Sequence, residues 1–263
     1  MRQGIWQDIR ESAPLIHNIT NIVVANFSAN GLLAIGASPV MADAIEEVAE
    51  MAFVSDALVL NIGTLGTMTE ATMIRAGQAA NEANHPVVLD PVGVGATTFR
   101  RDVVERILRH VRVTVIRGNA GEIATLLGVD WLARGVDAGA GTHEPKQLAI
   151  EAAKRYGCVV VVTGKTDVAS DGKVVMEVHG GTSRLTQTTG TGCLLSAVIG
   201  ACLAVEPNAL KAAVTALSGY GYCGEVASEK AAGPGDFPIH FLNALHELAH
   251  VSMPLNRIEV VSS

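Results

Sequence analysis

The chain has 263 residues, 49% of them hydrophobic and 17% charged, with a net charge of −7. That balance excludes a disordered or tail-like protein, and the negative sign argues against a non-specific nucleic-acid or anionic-membrane binder. A chain this apolar buries a substantial core, and α/β folds of about 250 residues form one unit, so residues 1–263 are read as a single domain.

In chain order, Met1–Asp8 contains no apolar signal region. Residues 57–63, 86–91, 112–118 and 158–164 are short apolar runs without polar alternation, the pattern of strands buried on both faces of a parallel sheet. Helical stretches are predicted between them, at 67–83, 98–109, 119–127 and 145–155. The alternation predicts an open α/β sandwich. Each run ends in Gly, Asn, Asp or Pro, which puts polar and turn residues at the carboxyl ends of strands, where such sheets bind ligands. Gly135–Thr142 is Gly-rich and reads as a loop. After Gly164, residues 167–172 and 173–179 read as a hairpin turning at Asp171-Gly172, and Gly190–His250 as mostly helical. The longest apolar stretch, Leu194–Val205, is broken by Ser196 and Gly200 and falls short of the roughly 20 residues that cross a bilayer.

The four cysteines, Cys158, Cys193, Cys202 and Cys223, form no CxxC pair and no zinc-ribbon spacing. A chain of this size and apolar content needs no disulfide framework, so a reducing cytoplasm is expected. The sequons at Asn18 and Asn26 are then chance matches. Cys158, Cys202 and Cys223 lie in apolar sequence and read as buried structural residues.

Three segments carry chemistry. In Thr188-Thr189-Gly190-Thr191-Gly192-Cys193, glycine-rich sequence runs straight into an apolar helix. Glycines let the backbone approach a ligand, and the free N–H groups of a first helical turn stabilise an anion such as phosphate. The bland alternative is an ordinary helix start. Cys193 falls in that first turn, a position that lowers a thiol pKa, so some thiolate is expected; the alternative is a buried structural cysteine, the commoner fate of a free thiol. In Asp90-Pro91-Val92-Gly93-Val94-Gly95, a carboxylate at a strand end is placed to hold hydrated Mg²⁺ beside phosphates. A dinucleotide fingerprint fails there, because the third glycine position is Thr98. In Arg117-Gly118-Asn119-Ala120-Gly121-Glu122, Asn119 and Glu122 have the spacing of a capping box. Glu122 also suits Mg²⁺ or its waters, and Arg117 suits a nucleotide phosphate. The two readings are compatible.

His246-Glu247-Leu248-Ala249-His250 matches the zinc-protease helix signature. No His follows to complete a ligand set, Glu259 is the only acidic residue beyond it, and the preferred reading is a surface helix face. The remaining histidines show no ligand spacing.

Together, residues 12–21, 36–42, 90–95, 117–122 and 190–193 resemble, in order, the motifs of the hydroxyethylthiazole kinase family, over about residues 12–250. The resemblance implies a ribokinase-like three-layer sandwich with a central, mostly parallel sheet and helices on both faces. It implies ATP- and Mg²⁺-dependent phosphorylation of 4-methyl-5-(2-hydroxyethyl)thiazole in thiamine salvage. Carried over by position, Met41 and Gly190 contact the thiazole, with Asn21 and Val23 near it. Arg117 and Thr163 bind ATP, Asp90 and Glu122 serve the metal, and Cys193 sits beside the substrate hydroxyl. The resemblance also implies a homotrimer with thiazole pockets at subunit interfaces, while the negative charge and the short apolar stretch already speak against nucleic acid or membrane as partner. Most ribokinase-like kinases carry an Asp base where this chain has Cys193, so strong general-base catalysis is not expected. Open alternatives are a hydroxymethylpyrimidine or pyridoxal kinase, a hydrate dehydratase of the same fold, a zinc hydrolase and a non-catalytic nucleotide-binding regulator.

Overall fold

The computed structural model describes residues 4–66, 68–129, 132–134, 137–140, 144–251 and 257–261. Its elements are α1 (Ile5–Ser12), β1 (Leu15–Ile19), α2 (Ala25–Ile35), β2 (Ser38–Val40), α3 (Val48–Val54), β3 (Ala57–Asn61), α4 (Thr69–Glu82), β4 (Val87–Asp90), α5 (Thr98–His110), β5 (Val115–Asn119) and α6 (Ala120–Leu127). They continue with β6 (Leu132–Arg134), β7 (Asp137–Ala140), α7 (Pro145–Tyr156), β8 (Val159–Thr163), β9 (Asp167–Ser170), β10 (Val175–Val178), α8 (Thr191–Val205), α9 (Ala209–Lys230), α10 (Phe237–Glu247) and β11 (Ile258–Val261).

The main sheet has nine strands in the order β11-β10-β9-β8-β5-β4-β3-β1-β2. The six from β8 to β2 are mutually parallel, and β9, β10 and β11 join antiparallel. Period-2 alternation divides each parallel strand between two cores. On β3, Ala57 and Val59 join the cluster under α1, α2, α8, α9 and α10, whereas Leu58 and Leu60 join the cluster under α3–α7. The result is the expected three-layer sandwich. Helix α8 is buried all round, from Leu194 to Leu203, because α1, α2 and α9 flank it and the sheet lies beneath. A helix without a polar face suits only that position.

The four predicted strands and four predicted helices are all present, with ends shifted by a few residues. Strands β1 and β2 and the helices around them escaped the periodicity reading, since β2 has three residues and β1 carries His17 and Asn18. The hairpin turns where expected, with Gly172 at φ 86°. Gly135–Thr142 is not simply a loop: β7 occupies 137–140 and pairs with β6, while residues 135, 136, 141 and 142 lie outside the described set. Among the described residues no helix is long and apolar enough to cross a membrane.

The chain leaves β1 toward β2, then returns to β3 on the other side and proceeds outward through β4, β5 and β8. This reversal opens a crevice beyond the carboxyl ends of β1 and β3, the topological position of ligand sites in open α/β sheets.

Candidate active site

Strand parity assembles the site. Val59, Val88, Val115 and Val161 all belong to the core cluster beneath α8. Two residues further along each strand, the same face carries Asn61, Asp90, Arg117 and Thr163. Four adjacent parallel strands thus end in polar side chains aimed toward the start of α8.

These side chains form a continuous chain. Arg117 Nη2 donates to Thr163 Oγ1 at 2.9 Å, and Arg117 Nη1 lies 3.8 Å from Asp90 Oδ2. The same Asp90 oxygen accepts from Asn61 Nδ2 at 2.8 Å and from Ser196 Oγ at 2.9 Å. Asn61 Oδ1 accepts from Asn21 Nδ2 at 2.8 Å, and Asn21 Nδ2 also reaches Cys193 Sγ at 3.5 Å. On the far side, Glu122 accepts from Gly93 N at 2.9 Å and from Asn119 N at 2.8 Å, and Asn119 Oδ1 in turn accepts from Glu122 N at 2.9 Å. The capping box is therefore real, and it presents a carboxylate to the site.

The N-terminus of α8 closes this arrangement. Gly190 caps it at φ 93°, and no side chain among the described residues bonds the cap, which leaves first-turn amides for a ligand. A Cβ on Gly190 would lie 2.8 Å from Val24 Cγ1, and one on Gly192 would lie 2.8 Å from Arg117 Nη1. Gly190 is favoured by its left-handed φ as well as by this approach, and Gly192 leaves room for the Arg117 guanidinium. Tyr220 Oη donates to Thr191 O at 2.6 Å and fixes the turn from below. Beside it lies a cavity of about 560 Å³ lined by Arg117, Thr163, Asp167, Gly192 and Tyr220 among others. The polar chain runs from this cavity, through Asp90, to the Cys193 thiol.

Burial sets the charges. Asp90 is fully buried, and desolvation raises its pKa against the opposing pull of Arg117, Ser196 and Asn61. Burial and then the Asp90 charge push Glu122 to about 7. The expected thiolate is overturned: burial and then Asp90 raise Cys193 to about 11, despite Arg117 and its helix-start position. The thiol is protonated at neutral pH, because desolvation disfavours the charged form more than the local donors favour it.

The donor set suits a hard cation. Among the described residues Asp90 Oδ1 is buried without a hydrogen-bond partner, although the other oxygen of the same group has three neighbours. Asp90 and Glu122, with Asp167 beyond them, draw on the same Arg117 charge. Oxygen ligands and surplus negative charge fit Mg²⁺ and its waters. Among the described residues another cluster that could hold a cation, Glu177 on β10, His179 just after it and Glu259 on β11, lies at the far edge of the sheet. There Glu177 pairs with Lys146 at 2.8 Å, and the group is remote in strand order from Asp90. The zinc-protease signature does not assemble: α10 ends at Glu247, His250 lies in a following 3₁₀ turn, and both histidines are exposed.

Of the residues singled out from sequence, Asp90, Arg117, Glu122, Thr163, Gly190 and Cys193 converge. Met41 lies apart, half-buried just beyond the edge strand β2, where His17 Nε2 holds the neighbouring Ala42 carbonyl at 2.7 Å. Sequence reasoning missed Asn61, Ser196 and Tyr220. Asn61 had a usable signal, as the polar residue closing an apolar run. Ser196 and Tyr220 lie inside helical sequence and had none.

A mostly parallel sheet covered by helices on both faces is the ribokinase-like fold. A ribokinase-like superfamily protein from Enterococcus faecalis V583 has this fold, at TM-score 0.65 and 11% identity over 95% of this chain and 96% of that one. The model of the hydroxyethylthiazole kinase family matches residues 6–251, and the chain belongs to that family. A hydroxyethylthiazole kinase from Exiguobacterium sp. (strain ATCC BAA-1283 / AT1b) is 82% identical over all 263 residues, which is 100% of both chains. The structure of a hydroxyethylthiazole kinase protein from Pyrococcus horikoshii OT3 superposes at TM-score 0.88, with 42% identity over 98% of each chain.

Proposed function

We propose that this chain transfers the γ-phosphoryl group of ATP to the hydroxyl of 4-methyl-5-(2-hydroxyethyl)thiazole, as a single domain acting in thiamine salvage in the cytoplasm. The observation that carries this reading is the line of hydrogen bonds, joined by the Arg117–Asp90 ion pair, from Thr163 and Arg117, beside the cavity, to Asn21 and Cys193. It links a site for phosphates to a site for an alcohol. ATP occupies the cavity, with Arg117 and Thr163 against its phosphates and the α8 amides at Gly190–Cys193 on the γ-phosphoryl oxygens. Mg²⁺, held by Asp90 and Glu122 or through their waters, supplies neutralisation of phosphate charge when bound.

The hydroxyl oxygen of the thiazole side chain forms a bond to the γ-phosphorus, the bond from phosphorus to the β–γ bridging oxygen breaks, and ADP departs. The transition state is loose, so the attacking group is still nearly an alcohol when the old bond has largely gone. Positioning and electrostatic stabilisation therefore matter more than proton removal. A thiol held near 11 is no base at neutral pH. Cys193, oriented by Asn21, aligns the hydroxyl, and the hydroxyl proton passes late to a transferred phosphoryl oxygen and from there to solvent. Accordingly, Cys193→Ala keeps turnover within about a hundredfold of the parent, at the low end of the ~10²–10⁴-fold that a positioned base contributes. A loss well beyond that range in kcat, with thiazole binding intact, would overturn this role.

Met41 and Gly190 are proposed as thiazole contacts, with a second copy of the chain completing the pocket in a homotrimer. Support comes from Ile22 and Val23, next to Asn21, which are 83% and 66% exposed in the single chain. Large apolar side chains beside a site, left uncovered, mark a surface that meets another surface.

The reading is tested by coupled ADP release with hydroxyethylthiazole, hydroxymethylpyrimidine and pyridoxal. The expected result is a kcat/KM for the thiazole at least about 10²-fold above the other two, since poorly fitting alcohols lose transition-state binding. Equal or better turnover of either rival overturns the substrate assignment.

A further inference from the structure

Arg100 occupies an electrostatically unfavourable position. It stands in the first turn of α5, where the helix dipole disfavours a cation, and no acidic residue shares that turn. Its guanidinium instead makes three hydrogen bonds to backbone carbonyls outside its own helix. Nη1 donates to Ile62 O at 2.7 Å and to Val92 O at 2.8 Å, and Nη2 donates to Gly63 O at 2.8 Å. Three charge-assisted bonds offset the dipole, and they bind the loop after β3 to the loop after β4.

The consequence lies on the other side of two peptide planes. A trans peptide is rigid and directs its C=O and N–H oppositely, and no cis bond occurs among the described residues. The carbonyl of Ile62 belongs to the same peptide unit as the N–H of Gly63, and that N–H donates to Asn61 Oδ1 at 3.0 Å. The carbonyl of Val92 shares its unit with the N–H of Gly93, which donates to Glu122 Oε1 at 2.9 Å. One guanidinium therefore sets the orientation of two N–H groups. The first fixes the Asn61 amide that bonds Asp90, and the second fixes the Glu122 carboxylate.

We propose that Arg100 is a positioning residue that holds Asp90 and Glu122 in register with each other, acting through the 62–63 and 92–93 peptide units. It touches neither carboxylate. The inference rests on the reading of Asp90 and Glu122 as the metal-side pair, so its test includes a readout independent of activity.

That readout is amide hydrogen exchange in the nucleotide- and metal-free protein. In Arg100→Gln, exchange at Gly63 and Gly93 accelerates by at least about tenfold, the effect of weakening one hydrogen bond each. The Mg²⁺ concentration for half-maximal turnover rises by a similar factor of about ten, while KM for the thiazole stays within about twofold. Arg100→Lys keeps the charge without the fork and recovers part of both effects. Parental exchange at both amides in either soluble variant overturns the inference. Should neither variant fold, the parent still decides: unprotected Gly63 and Gly93 amides are incompatible with the clamp. If Asp90→Asn and Glu122→Gln leave the Mg²⁺ titration unchanged, the carboxylate reading fails, and the exchange data still judge the two peptide orientations.

Discussion

Arg117→Ala lowers kcat/KM for ATP by about 10³-fold, the upper range for removing one preorganised donor from a developing charge, and it also destabilises the protein. Two roles meet in this side chain, which is only 12% exposed. Toward the cavity it offers a fork of donors beside Thr163 and the α8 amides. Toward the sheet it is the counter-charge of Asp90 and Glu122. Burial, the largest influence, opposes its charge, but Asp90, Glu122, Cys193 and Asp167 together outweigh it and raise the pKa. Removing it leaves two buried carboxylates without a cation, and breaking a buried pair from one side costs about 3–5 kcal/mol. Arg117→Lys restores most of the thermal stability and only part of kcat/KM, because an ammonium lacks the bidentate geometry. Parental KM and kcat for ATP in Arg117→Ala would remove this residue from the nucleotide site.

Asp90→Asn is the second large effect. Turnover falls by about 10³-fold at ordinary Mg²⁺, and the Mg²⁺ requirement rises. The shape survives, since an amide oxygen still accepts from Asn61 and Ser196, so the loss is one of charge. A stability measurement distinguishes this from unfolding. In the metal-free parent, Glu122 has a folded pKa of about 7 against an ordinary value of 4.5, from burial first and the Asp90 charge second. A group whose folded pKa is raised contributes stability that is complete below its unfolded pKa and is lost as pH climbs to the folded one. Between about pH 4.5 and 7 this group therefore withdraws on the order of 3 kcal/mol from the metal-free protein. Asp90→Asn removes the neighbouring charge, lowers the Glu122 pKa and flattens that slope. Mg²⁺ opposes the slope in the parent by binding the ionised pair, so its stabilising effect is larger at pH 8 than at pH 5. Denaturation curves at the two pH values check both statements, and an unchanged slope in Asp90→Asn would show that the carboxylates do not interact.

The legibility of this molecule followed interaction range. The Asn119–Glu122 capping box was readable because both partners lie within four residues. The Gly190–Cys193 turn was readable because close backbone approach demands glycine there. Asp90 and Arg117 stood out as charged residues closing apolar runs. Asn61 closed such a run too, but its meaning depends on Asn21 and Asp90, 40 and 29 residues away. Ser196 sits in the middle of an apolar helix, and only the packing of α8 over β4 gives its hydroxyl a partner 106 residues distant. Arg100 was invisible as well, since backbone carbonyls leave no trace in side-chain pattern.

Cys193 marks the boundary most clearly. Taken locally, a helix start lowers a thiol pKa, whereas the assembled layers bury the sulfur near Asp90 and raise it to about 11. The sequence by itself determined four of the parallel strands, the covered parallel sheet they imply, the starts of the helices between them and the residue types of a phosphoryl-transfer site, because periodicity, capping and glycine conformations act over a few residues. Only the tertiary structure decided the strand order, the common face of Asn61, Asp90, Arg117 and Thr163, and the protonation of the groups between them. Those depend on desolvation and on charges brought together across more than a hundred residues, and both arise only once the two helical layers close over the sheet.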